Sequence, residues 1–134
     1  MRALRHAVYE RAGGRCEVSG LALADPDRGW DLHHRRNKGM GGTLRPDTDT
    51  PVNVLAVLPE VHNSAGMNSE RGWPRGLSVH GSREWAGPRG YLIPKHVDTP
   101  GRWPVLLWGA RWVWLTDEGG YRPVPDALAR SFPL

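Results

Sequence analysis

The sequence predicts a mixed α+β domain. Three observations carry that expectation: an apolar stripe at helical spacing near the N-terminus, several apolar runs of strand length, and abundant turn formers, with Gly 17 and Pro 12 in 134 residues. Glycine and proline punctuate regular structure, so short elements joined by loops are expected. The length suits one domain over residues 1–134, with a core at about 15–90 and a C-terminal β extension at about 91–121. Seven tryptophans offset a modest apolar fraction, because each aromatic side chain buries roughly 150–250 Å².

In chain order, Leu4, Ala7, Val8 and Arg11 share one stripe and predict a helix over 2–12, stopped by Gly13-Gly14. A tight turn follows at 15–20. Residues 30–34 alternate as a strand, with Trp30 and Leu32 on one side. The stretch 35–51, rich in Gly, Thr, Asp and Pro, predicts a long loop of the kind that often carries function. Residues 52–58 read as a buried strand broken only by Asn53. Pro59 suits the first turn of a helix and places His62 near that helix's start. Residues 64–76 are weakly patterned and read as an insertion or loop. A helix is expected over 78–86, closed by Gly87-Pro88. Short strands are expected at 91–93, 105–108 and 111–115, the last two joined by a hairpin turn at Gly109-Ala110. The tail after Tyr121 is proline-rich.

The net charge of +4 favours an acidic partner, nucleic acid first. Cys16 is the single cysteine, so an intramolecular disulfide is excluded. The N-terminus lacks the apolar core of a signal peptide, and no run approaches a membrane span of roughly 20 apolar residues. A cytoplasmic protein with no membrane partner is therefore expected.

Chemistry concentrates in one region. His33 and His34 are adjacent, Arg35 and Arg36 follow, and Asn53 and His62 come later in order. Imidazole ligates metals and takes protons near neutral pH; arginine suits phosphate. Singly, each has an ordinary reading: a satisfied histidine pair in a turn, a capping asparagine, a solvated arginine face. Together they supply a metal site, a base and an anion clamp, the parts that phosphodiester cleavage requires.

The segments Cys16-Glu17-Val18-Ser19-Gly20, His33-His34-Arg35-Arg36-Asn37-Lys38-Gly39-Met40-Gly41-Gly42-Thr43, Asn53-Val54-Leu55 and His62-Asn63 resemble the HNH endonucleases, especially small HNH proteins of actinobacterial phages. Gly90-Tyr91-Leu92-Ile93-Pro94, Pro104-Val105-Leu106-Leu107 and Gly119-Gly120-Tyr121 resemble the tail of the same group. The resemblance implies a ββα-metal (HNH) core, here with an N-terminal helix and a C-terminal β-hairpin extension. It implies His33 and His62 as metal ligands, His34 as general base, and Asn53 as the residue steadying loop and base. Position and charge add Arg35, Arg36 and Lys38 as phosphate contacts. The expected cofactor is one divalent cation (Mg, Mn, Ni or Zn), with imidazole donors tilting preference away from Mg²⁺.

Many relatives carry a structural zinc on two Cys-x-x-Cys pairs. Here Cys16 and Ser19 stand at the first pair, Leu58 and Val61 at the second, and one thiolate cannot hold a tetrahedral zinc. No structural zinc is expected, with apolar packing filling its place. His80 is read first as an ordinary polar helix residue, with a third ligand or a phosphate contact as alternatives. Neighbouring side chains of a strand point to opposite faces, so His33 and His34 share a site only if the strand ends or twists there.

The implied activity is metal-dependent DNA cleavage to 5′-phosphate and 3′-hydroxyl ends, with weak base specificity and affinity that falls steeply with salt. The product would be phage-encoded, act in the host cytoplasm, and have phage packaging proteins as further candidate partners. The alternative is a catalytically inactive module on the same scaffold that binds nucleic acid or a protein.

Overall fold

A computed structural model describes residues 2–37, 45–63, 73–74 and 76–134; Lys38 and most of the weakly patterned stretch 64–76 lie outside the described residues. Helix α1 (Arg2–Arg11) buries Val8, and Leu4 packs on the same core. The Gly14 amide closes it by donating to the Tyr9 carbonyl at 3.1 Å.

Strands β1 (Asp31–His34) and β2 (Val54–Val57) pair antiparallel, with Asp31 opposite Val57 and His34 opposite Val54. All four residues of β2 are buried. The strand is shorter than the apolar run 52–58 because Pro51–Asn53 form a 3₁₀ turn; proline has no amide for a ladder. Helix α2 (Pro59–His62) is a single turn with proline first, so His62 is its last residue, not an early one.

The helix expected over 78–86 shrinks to α3 (Arg83–Ala86). The preceding backbone is engaged elsewhere: the Val79 amide donates to the Val61 carbonyl (2.8 Å) and the His80 amide to the His62 carbonyl (3.0 Å). These bonds dock the His80 segment on α2. Residues 91–93 do not form a strand; Ile93 donates to the Arg35 carbonyl at 2.9 Å and makes an isolated bridge.

The C-terminal part is a three-stranded antiparallel sheet, β3 (Val105–Leu107), β4 (Arg111–Leu115) and β5 (Tyr121–Pro123), followed by α4 (Asp126–Ala129). The β3–β4 turn centres one residue earlier than expected, on Trp108 and Gly109, both with positive φ (56° and 68°). The Ala110 amide closes the turn by donating to the Leu107 carbonyl at 2.8 Å, so three residues, 108–110, separate the strands where two were expected. Trp108 holds this unusual backbone while stacked under Arg15, whose guanidinium lies 4.2 Å from its ring centroid. Strand β5 and helix α4 were not expected, because the prolines around them mask both. No helix among the described residues is long and apolar enough to cross a membrane.

Cys16, Leu58 and Val61 all lie in the main buried cluster, with Trp73, Trp85 and Trp108 packed against it. Beside them runs a buried polar network. Arg11 donates to both carboxylate oxygens of Glu17 (2.7 and 2.9 Å) and to the carbonyls of Pro51 and Val54. Glu17 also accepts from the Ala56 amide (2.8 Å) and the Tyr121 hydroxyl (2.5 Å). Burial, reinforced by Glu17, pushes the Tyr121 phenol pKa upward, so it remains a donor. Removing one partner leaves the other charge buried and unmatched. Glu17→Gln is therefore expected to cost about 3–5 kcal/mol, read as a lowered denaturation midpoint in urea.

Candidate metal centre

Strand alternation places Asp31 and His33 on one face of β1. Across from them, α2 presents His62 and the docked segment presents His80. The three ring centroids of His33, His62 and His80 lie 4.7–5.2 Å apart. His62 is central: its Nε2 is 3.1 Å from His33 Nδ1 and 3.1 Å from His80 Nε2. One nitrogen from each of the three residues lies within 4.8 Å of the others, a grouping that could hold a metal ion.

The outer partners fix which nitrogens face inward. His33 Nε2 lies 2.5 Å from the Tyr91 carbonyl, which only accepts, so Nε2 carries the proton and Nδ1 a lone pair. His62 Nδ1 lies 2.9 Å from the Asp31 carboxylate, which makes Nδ1 the donor and leaves a lone pair on Nε2. Two lone pairs thus face each other at 3.1 Å. A hydrogen bond between them is impossible without an added proton, and a cation satisfies both. Burial pushes the His33 pKa down to about 3, and the neighbouring His62 and His80 oppose a further charge. Burial also lowers His80, with His62 and Arg83 adding to the effect. The resistance of His33 and His80 to protonation, with the facing nitrogens of His33 and His62, suits a divalent metal.

His33 has an ordinary pKa near 6.5 and a folded value of about 3, so the unfolded chain binds more protons between those values. The contribution of His33 to the stability of the metal-free protein is expected to be fully present above pH 6.5 and to be lost on acidification toward pH 3, checked by urea titrations across that window against His33→Gln.

Asp31 is the residue that sequence reasoning missed. It sits two positions before His33 in a strand, which alone would have put it on the same face. Carboxylate partners of metal-binding imidazoles typically contribute 10–100-fold in affinity. Asp31→Ala is expected to weaken Zn²⁺ or Ni²⁺ binding by roughly that factor in calorimetry, with little change in folding since Asp31 is partly exposed.

The Tyr91 carbonyl is placed by Gly90. There φ is +82°, and a Cβ would come within 2.1 Å of the Pro104 carbonyl oxygen; only glycine lets the chain approach so closely.

The remaining expected site residues divide. His34, the last residue of β1, is not one of the three clustered histidines; its Nε2 meets Asp49 Oδ1 at 2.7 Å. Asn53 is buried; its side chain accepts from the Arg36 amide (2.9 Å) and donates to the carbonyls of Thr48 (3.0 Å) and Arg36 (3.3 Å). His80, read from sequence as an ordinary helix residue, lies on a turn and joins the cluster.

Arg35 and Arg36 need correction as phosphate contacts. Arg35 is fully buried and donates to the carbonyls of Gly90, Val52, Pro100, Trp103 and Pro104 at 2.6–3.3 Å. Its donors are spent on backbone carbonyls, of which Pro100 also accepts from the Trp103 amide at 3.0 Å. Arg36 is also buried, paired with Asp47 and donating to the Val97 carbonyl at 2.6 Å. That contact holds the Asp47 carboxyl below its ordinary pKa. Lys38 lies outside the described residues.

Fold and site together define a mixed α+β protein with a three-histidine cluster able to chelate a divalent cation. No family model, curated protein or solved structure matches the chain.

Proposed function

We propose that this protein is a metal-dependent DNA endonuclease of the HNH kind. The observation that carries the reading is the close set of His33 Nδ1, His62 Nε2 and His80 Nε2, from β1, from the helix that follows β2 and from the turn docked on that helix. Three imidazoles leave coordination positions open for water and substrate oxygens, the arrangement of a catalytic rather than a structural site. The donor set favours Zn²⁺, Ni²⁺ or Mn²⁺ over Mg²⁺. When bound, the ion supplies a Lewis acid for the scissile phosphate. His33, His62 and His80 hold it; Asp31 and the Tyr91 carbonyl orient two of those rings. His34 is the base that takes the proton from the attacking water, and Asn53 ties the end of β1 to the loop at Thr48. The basic net charge draws the DNA in.

The test is nicking of supercoiled plasmid with each of Mn²⁺, Ni²⁺, Zn²⁺ and Mg²⁺, with chelator as control. His34→Ala is expected to lower the cleavage rate by about 10²–10⁴-fold. Cleavage undiminished in that variant would remove His34 from the role.

One observation favours a second reading. With Arg35 and Arg36 turned inward, the expected phosphate clamp beside the histidines is missing among the described residues. A metal-holding module that binds nucleic acid or a protein without cutting accommodates this. It predicts DNA retention without nicking under every metal tried.

A further inference from the structure

We infer that Asp49 is the positioning residue of the His34 base, forming an Asp–His pair that makes Nδ1 the proton-accepting nitrogen. The inference rests on the nuclease reading of His34 given above. His34 Nε2 lies 2.7 Å from Asp49 Oδ1. A carboxylate only accepts, so Nε2 bears the hydrogen and the lone pair belongs to Nδ1. The carboxylate then stabilises the imidazolium that forms when Nδ1 takes a proton, and it holds the ring in one orientation.

The loop that carries Asp49 is fixed on both sides of it. Before it, Asp47 is paired with the buried Arg36, and the Thr48 carbonyl accepts from the buried Asn53 side chain at 3.0 Å. After it, the Thr50 hydroxyl donates to the Asp47 carbonyl at 2.6 Å. Arg36 and Asn53 thus serve the site indirectly, by setting the backbone from which Asp49 reaches His34. This gives the inward arginine a purpose that phosphate contact does not. Asp49 itself is exposed, so its carboxylate does not hold up the core.

In the reaction, water loses a proton to His34 Nδ1 and its oxygen bonds to phosphorus. The bond from phosphorus to the 3′ oxygen breaks, and that oxygen leaves with the electron pair and is protonated by solvent. The imidazolium keeps its Nε2–H donated to Asp49 and returns the Nδ1 proton to water.

Two measurements test this on the full chain. Asp49→Ala is expected to lower kcat for plasmid nicking by roughly 10–100-fold, with KM for DNA little changed, since general-base catalysis as a whole contributes about 10²–10⁴. Asp49→Glu, which restores a carboxylate, is expected to recover most of the rate. Independently, proton–nitrogen NMR should show a His34 Nε2–H signal protected from water exchange in the unsubstituted protein and in Asp49→Glu, and lost in Asp49→Ala. Equal kcat in Asp49→Ala, or an exchange-broadened Nε2–H in the unsubstituted protein, overturns the assignment. Absence of nicking by the unsubstituted protein with any metal overturns the nuclease reading itself, and Asp49's role with it. The two failures differ in which protein shows them.

Discussion

His62→Ala is expected to abolish measurable chelation of Zn²⁺ or Ni²⁺. Its Nε2 is the nitrogen shared by both short contacts of the cluster, 3.1 Å to His33 and 3.1 Å to His80. Removing it leaves two donors that no longer face a common third. Loss of an outer partner alone typically costs 10–100-fold in affinity, so loss of the central ligand should exceed roughly 100-fold. The same substitution should erase the metal's effect on melting, since an ion at a hundred times its Kd stabilises the folded state by about 2.7 kcal/mol. His80→Ala separates a three-ligand site from a two-ligand one. A three-ligand site predicts a drop of at least tenfold or so there as well, whereas exposed His96 replaced by alanine should change nothing. Unaltered affinity in His62→Ala would sink the metal centre and the function built on it.

Arg35→Leu is expected to be the most damaging substitution for folding. The guanidinium joins carbonyls from the 3₁₀ turn at Pro51–Asn53, from Gly90, and from the segment 100–104. It is the polar pin between the β1–β2 pair and the chain that leads into β3. Burial lowers its pKa to about 9, with Arg11 adding to the shift, yet at pH 7 it stays protonated. Leucine would fill part of the volume and satisfy none of the carbonyls. An orphaned buried acceptor costs about 1–3 kcal/mol. Water can reach those at the part-buried end, so a net loss of about 3–5 kcal/mol is expected. Against a typical total of about 5–15 kcal/mol, that is enough to leave the variant largely unfolded on warming. Lysine should rescue only partly, since its compact ammonium lacks the five-donor fork. A urea midpoint within experimental error of the parent would contradict this account.

Local chemistry in the chain anticipated several elements well. The helix at the N-terminus follows from Leu4 and Val8 on one stripe, and β2 from an apolar run that must be buried on both faces. The β3–β4 hairpin follows from two apolar runs around a glycine. In each case the decisive interactions lie within a few residues of one another. Where long-range bonds compete, sequence reading failed. The segment before α3 has helical composition, but its amides at Val79 and His80 are claimed by carbonyls of α2. Strand β5 exists because Leu115 and Tyr121 pair across a turn, which no local preference announces among prolines.

The chain by itself determined the inventory: imidazoles at 33, 34, 62 and 80, an asparagine at 53, a basic balance, and a single cysteine at 16. Residue type fixes what each group can donate, accept or ligate, and period-2 alternation puts Asp31 and His33 on one face of a strand. Only the tertiary structure decided which groups meet. It set His80 against His62, gave Asp31 and the Tyr91 carbonyl the outer nitrogens, paired His34 with Asp49, and turned Arg35 and Arg36 inward. The reason is that a buried backbone carbonyl without a partner costs more than a surface phosphate contact returns. Which carbonyls will be buried depends on how distant segments pack, and nothing local in a sequence records that.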